Sequence, residues 1–447
     1  MKYIEEKNEL RKKYHQRLID LKKAHQFTIE ENEYWTFFIP KEKRAELPSK
    51  GFKIHLSATI YNAITILNMF WDYIKEKTIE WKIMSSFRNL ERQNIGFNGY
   101  SQIGKFITIY PKDYQEFEVL LNELELLFKF QRSVNIPSDF QYMQSQVVFY
   151  RYGDINPVKT NPSDIDLRNR IIPEYVNVPI SDYYIKRLNN IPDYLIILEI
   201  IKQGGKNSVF KAFDLHLKKL VYLKEAAYLA NVDIYGTDSM NRLTIEKRAL
   251  LKCMNINFTP NFVDDFYVDD HYFIEIENIE AKTLSDFLLD NPISEIKSII
   301  NLILNIIELL MKLLDVGVLY IDISFANILI DECKNLYIID FEYSKLLDEW
   351  NHPEIVAGCI GFYDHNYHFI DERRIIFATA ALMLYCEYFD NFKEVLGTKD
   401  EEKLLAFLQY PFFKNSCLAS IYHKAFSHEY DSILEFKTEL EKFLRGI

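Results

Sequence analysis

The chain reads as a mixed α/β and α+β protein of two bodies in series, a small α/β unit over residues 1–160 and a larger two-lobed body over 194–447. Three observations predict this. Segments alternating at period two are interleaved with helical patterns up to Tyr152. A proline-bearing stretch with little periodicity (Pro157, Pro162, Pro173, Pro179, Pro192) follows and marks a linker over 161–193. From Tyr194 the pattern is strand-rich to about Glu277 and helix-rich beyond it, which divides the second body into lobes at 194–277 and 278–447.

Residues 1–25 form a charged helix. Tyr34, Trp35, Phe37 and Phe38 then open a packed domain. Gly51 to Ser57 alternates as a strand, Thr59 to Lys75 carries apolar residues at helical spacing, and Ile79–Met84 and Lys105–Tyr110 are further strands. Asp113 to Gln131 is an amphipathic helix with Phe117, Leu120, Leu121, Leu124, Leu127 and Phe128 on one face, and Gln146–Tyr152 is a fourth strand.

At 447 residues, 48% hydrophobic and 15% aromatic, the chain has ample material for packed cores. Its net charge of -12 argues against coating nucleic acid or an anionic membrane, so any anionic substrate must be met by a local cationic site. The charged start lacks an apolar signal core and no run of 18 apolar residues follows, which predicts a cytoplasmic protein. The five cysteines have no CxxC and no histidine at ligand spacing, so neither a disulfide framework nor a zinc site is expected.

In the second body Tyr320-Ile321-Asp322 and Asn327 precede the apolar run Ile328–Ile330, and Ile338-Ile339-Asp340-Phe341-Glu342 follows. Phosphoryl transfer needs an acid to orient the attacking hydroxyl and oxygen ligands to hold Mg2+ on the phosphates. Asp322 suits the first task, Asn327 and Asp340 the second. Upstream, Gly204, Gly205 and Val209 suit a hairpin over the phosphates of ATP or GTP, and Lys224 follows on the next strand, steadied by Glu246. Asp371 stands ahead of an apolar helix, where it would brace the catalytic loop. In order and spacing this set resembles the protein-kinase superfamily from Tyr194 onward. Tyr320, Ile321 and Glu342 depart from its usual His, Arg and Gly. With Ile321 in place of Arg, activation by a phosphorylated loop paired to that position is not expected.

The first body carries a second constellation of Lys53, His55, Lys82, Lys105 and Arg151. Period-two geometry puts Lys53 and His55 on one face of a strand, with Phe52, Ile54 and Leu56 turned to the core. Lys82, Lys105 and Arg151 lie in three other strands, so a sheet can gather these cations around one anion. Such a site suits β-elimination of phosphate from phosphoserine or phosphothreonine, with Lys53, its pKa lowered by crowding, as base and protonated His55 as acid. The segments around these residues resemble the phosphothreonine lyases, and together with the kinase-like half they resemble the lyase and kinase parts of class III and class IV lanthipeptide synthetases. That resemblance implies a Lys53/His55 base and acid, with Lys82, Lys105 and Arg151 as phosphate ligands; Asp139 also matches, without an evident role.

The implied activity is dehydration of Ser and Thr in a ribosomal precursor peptide with a leader, by phosphorylation and then elimination. Too few residues follow the kinase-like lobe for the family's zinc-dependent cyclase, so thioether closure is expected either of a separate cyclase or not at all. Two other readings fit the same residues: a kinase whose first domain only binds phosphorylated partners, and a pseudokinase scaffold.

Overall fold

The computed structural model describes residues 2–42, 47–155, 191–203, 207–349 and 361–447, except 365, 366, 368, 397–405 and 407. Most of the expected linker, along with Gly204 and Gly205, lies outside the described residues. Contacts divide the chain into two compact units. One holds Met1–Asn241 with Asp265–Phe273, and the other Arg242–Asp264 with Ile274–Ile447.

The first unit is built on a seven-stranded sheet. Its strands are β1 (Phe27–Glu31), β2 (Trp35–Pro40), β3 (Lys50–Ser57), β4 (Glu80–Met84), β5 (Lys105–Tyr110), β6 (Phe140–Gln141) and β7 (Val148–Asp154). They lie in the order β1-β2-β4-β5-β3-β7-β6, and every neighbouring pair is antiparallel. Period two then sorts the side chains. Phe52, Ile54 and Leu56 of β3, Trp81 and Ile83 of β4, and Ile107 and Ile109 of β5 enter one buried core. Lys53 and His55, Lys82, and Thr108 take the opposite face.

Helices α1 (Lys2–Lys22), α2 (Ala63–Ile74) and α4 (Tyr114–Phe128) cover the apolar face through Tyr14, Leu18 and Leu21, through Ile66, Leu67 and Phe70, and through Phe117, Leu120 and Leu124. Phe38 stacks on Trp81 at 3.9 Å, and each such buried ring contributes roughly 1.5–3 kcal/mol through removal from water. The helix expected from Thr59 begins only at Ala63. The Thr59 and Asn62 side chains bond to one another and to each other's amides, which makes a turn of the intervening residues. Asp113 caps α4 by accepting from Glu116 N at 2.8 Å, while Glu116 accepts in return from Lys112 N. Strands β1, β2 and β6 and helix α3 (Phe87–Asn94) are additions to the elements read from the sequence.

Five strands form the next sheet: β8 (Leu195–Gln203), β9 (Asn207–Asp214), β10 (Lys219–Ala227), β11 (Phe262–Val268) and β12 (His271–Glu277), ordered β11-β12-β10-β9-β8. In the second unit Ile296–Asp315 buries an apolar stripe, and Glu372–Glu387 is buried nearly all round, as a central helix must be.

Candidate active sites

The cationic cluster sits on the sheet face opposite the core. Across the strands, Phe37, Lys82, Thr108, His55 and Phe149 form one rung, and Lys53 opposes Arg151 two residues along. Lys105 reaches this face by a different route. By simple alternation it would share the core side with Ile107 and Ile109. A register shift makes Ser57 oppose Lys105 while Leu56 opposes Ile107, so Phe106 is an extra residue and Lys105 takes the parity of Lys53 and His55.

Asp139 arrives on a loop that crosses close over Gly104. There φ is +76°, and a Cβ would meet Asn135 O at 3.0 Å and Ile136 Cγ1 at 3.1 Å, so only glycine fits. Ser138 Oγ donates to Ser101 O and to Asp139 Oδ1 at 2.8 Å, which fixes the carboxylate. Asp139 Oδ2 is bonded to His55 Nδ1, and Oδ1 pairs with Lys105 Nζ at 3.1 Å; all three side chains are buried.

Electrostatics then divides the cluster. Burial works to raise the Asp139 carboxyl, but Lys105, His55 and Arg151 overrule it and hold the group far below the usual carboxylate range. Burial pushes His55 down to about 3 against the opposing pull of Asp139, so the ring is neutral and donates its Nδ1 proton to the carboxylate. Burial, then Arg151 and Lys105, lower Lys53 to about 8, with Asp139 and Asp154 resisting. Lys82 falls further, to about 7, through burial and then Lys53, Lys105 and Arg151; the charged groups acting on it are all cations. The site therefore holds ionised Asp139 as anchor, one lysine bound to it, and two lysines close to losing their protons at neutral pH.

The second site lies in the second unit. Tyr320 is buried, and its hydroxyl donates to Ile339 O at 2.8 Å and Asp322 O at 3.1 Å, tying the loop before Asn327 to the segment carrying Asp340. Burial, then Asp322, Asp340 and Glu246, raise this phenol well above its ordinary value, so it stays a donor. Asn327 Nδ2 donates to Asp322 O and, at 3.1 Å, to Asp322 Oδ2, and the carboxamide oxygen is its remaining polar atom. Asp340 has φ +65°, a left-handed conformation that turns its side chain out of the strand direction. The Asp371 carboxylate caps the helix Glu372–Glu387 through Arg373 N and accepts from the Tyr367 hydroxyl. Arg374, buried one residue further on, feels Asp322 as well as Asp371 and packs on the Tyr363 ring at 5.5 Å. Nothing in the sequence had singled it out. Lys224, on β10 in the first unit, directly opposes Val209 and is half-buried. Glu246 is fully buried on the helix Ser239–Lys252.

Comparison with known proteins supplies the context. A family model for the N-terminal domain of RamC matches residues 15–172, and the protein kinase domain matches residues 195–363. A probable SapB synthase from Streptomyces coelicolor is 27% identical over 340 residues, 68% of this chain and 36% of that protein. The serine/threonine-protein kinase PrkC of Bacillus subtilis is 26% identical over 171 residues, 37% of this chain and 25% of that protein. The chain thus spans about a third or less of the length of these relatives. Among the described residues no helix is long and apolar enough to cross a membrane. The cationic sheet face belongs to the region that matches the RamC N-terminal domain and the Asp322–Asp340 loop to the region that matches the protein kinase domain, an arrangement that fits the lyase–kinase didomain of the lanthipeptide synthetases.

Proposed function

We propose that the chain dehydrates Ser and Thr residues of a ribosomal precursor peptide, in lanthipeptide-type biosynthesis, by phosphorylating the hydroxyl and then eliminating the phosphate. The similarity to the SapB synthase supports the biosynthetic setting. The observation that carries the chemistry is the cationic sheet face, where Lys53, Lys82 and Arg151 share one surface with the Lys105–Asp139–His55 chain.

In the first step Asp322 orients the peptide hydroxyl and accepts its proton, and Lys224 and Val209 serve the nucleotide phosphates. The oxygens of Asn327 and Asp340 are the hard donors that Mg2+ prefers. Mg2+ held by these oxygens would neutralise charge on the transferred phosphoryl group.

In the second step a lysine removes the Cα proton, the electron pair forms the Cα=Cβ bond, and the Cβ–O bond breaks with departure of phosphate. The base must be uncharged when it acts. The sequence points to Lys53 for this task, but the surroundings favour Lys82, which is lowered further and feels no carboxylate. Lys53, opposite Arg151, then joins Arg151 and Lys105 as a phosphate ligand. His55 is neutral at rest; a phosphate dianion beside it raises its affinity for a proton taken up from solvent, and the imidazolium delivers that proton to the leaving oxygen as the Cβ–O bond breaks.

Mass spectrometry of a Ser/Thr peptide incubated with ATP and Mg2+ tests the reading. Loss of one water per modified residue is expected, and stalling at the phosphorylated form in Lys82→Ala. If the wild-type chain only accumulates phosphopeptide, and also leaves a pre-phosphorylated peptide intact, the first domain is a phosphopeptide binder and the elimination step is wrong.

A further inference from the structure

Lys82 and Lys105 bring the same side chain to the same cluster into opposite surroundings. Lys105 Nζ is paired with Asp139 at 3.1 Å. Lys82 Nζ instead lies 4.2 Å from the centre of the Trp35 ring and 5.5 Å from that of Phe37. Both rings come from β2, the neighbour of β4 on the side away from β5. Phe37 directly opposes Lys82 in the ladder, and Trp35 sits two residues back on the same face. Thr36, between them, points the other way, is fully buried, and donates its hydroxyl to Glu31, which pairs with Lys22 at 2.7 Å. The ring pair is thus pinned from behind by α1 and β1.

A ring face has two effects on an amine. It attracts the ammonium form, by about 0.5–2 kcal/mol. It also displaces water, and full burial lowers a lysine by up to about 3–5 pKa units, a larger effect of opposite sign. Burial outweighs the attraction for the half-buried Lys82, because Trp35 and Phe37 provide no hydrogen-bond acceptor in exchange for displaced water.

We propose that Trp35 and Phe37 are positioning residues for Lys82, an aromatic wall that keeps its Nζ dry and holds it beside Lys53 and His55 on the sheet face. The inference rests on the reading of Lys82 as the elimination base, since only a base gains from being kept uncharged. Trp35 would touch no reacting atom; it acts through the amine.

The test uses the full chain and a synthetic phosphothreonine peptide, with kcat/KM for elimination followed from pH 5.5 to 9.5. Trp35→Ala admits water to Lys82 and moves the acid limb up by about one unit, a roughly tenfold loss at pH 6.5 that shrinks to less than about threefold at pH 9.5. Trp35→Phe keeps the wild-type profile. Carbon-13 NMR of reductively methylated protein, with the Lys82 signal identified by its loss in Lys82→Arg, reads the same upward shift without any turnover. Should Trp35→Ala fail to fold, Phe37→Ala is read in the same two ways. An equal loss at every pH with an unmoved Lys82 titration overturns the inference and leaves the rings a packing role. Full elimination by Lys82→Ala overturns the base reading and this inference with it, so the two failures are told apart.

Discussion

The two candidate sites are assembled in opposite ways. Asp322, Asn327 and Asp340 fall within one short stretch of chain, held by local bonds: Tyr320 to Ile339 O, and Asn327 to Asp322. Lys53, Lys82, Lys105, Asp139 and Arg151 are spread over nearly a hundred residues and meet because four strands and a loop lie side by side. A site written in consecutive residues is fixed by its own backbone. A site gathered across a sheet is fixed by register, and one residue of slip would scatter it. The charges differ in kind as well. The kinase-side groups are mainly acidic, whereas the sheet face concentrates cations in a chain whose net charge is -12. That local inversion suits a site that must receive a phosphorylated side chain.

The contrast can be broken most directly at the two chemical steps. Lys82→Ala is expected to lower elimination from a pre-phosphorylated peptide by about a thousandfold, within the range for removal of a general base, while phosphoryl transfer continues. Asp340→Ala should do the reverse, abolishing transfer of radiolabelled phosphate while the same phosphopeptide is still dehydrated. If either variant damages both steps alike, the division of labour between the sites fails.

Asp139→Asn should come next in size. It leaves Lys105 buried without its counter-charge, and the stability loss read from urea unfolding of the intact chain is expected to be roughly 3–5 kcal/mol. A substitution at Asp322, in the other site, should leave the midpoint much closer to wild type. Equal midpoints for Asp139→Asn and wild type would mean that the buried chain from Lys105 to His55 is not held together as described.

The pH dependence sharpens the comparison further. As the proposed base Lys82 would act uncharged, and it is lowered to about 7. Below that value it is protonated, so kcat/KM for elimination should fall about tenfold per unit as the pH drops and level off above it. Stopped assays on the phosphopeptide from pH 5.5 to 9 would show this limb, and its absence would point to a base of another kind. The smallest effect belongs to Tyr320→Phe, which deletes one hydroxyl and its bonds to two backbone carbonyls; about 1–3 kcal/mol of stability should be lost on thermal unfolding, without effect on elimination.

How much of this the sequence could carry depends on the range of the interaction concerned. Strand β5 was legible to the residue, and α4 nearly so, because apolar periodicity and the Asp113 cap are local signals. Lys53 and His55 were likewise placed on one face by period two. Strands β1 and β2 were not read as strands, since Thr28 to Glu31 is largely exposed and its polar residues mask the alternation. Trp35 and Phe37 therefore counted only as generic core material, although one of them lies 4.2 Å from Lys82.

The sequence by itself determined the acids and amide of the Asp322–Asp340 segment and the identities of the cations on the sheet, because each follows from spacing along the chain. Tertiary structure alone decided which lysine is anchored to a carboxylate and which is set against aromatic rings. Lys105 reaches Asp139 only through the extra residue Phe106, and Lys82 meets aromatic rings only because β2 pairs with β4. Burial and neighbouring charge set the proton affinity of an amine, and both are properties of what is packed around it in space.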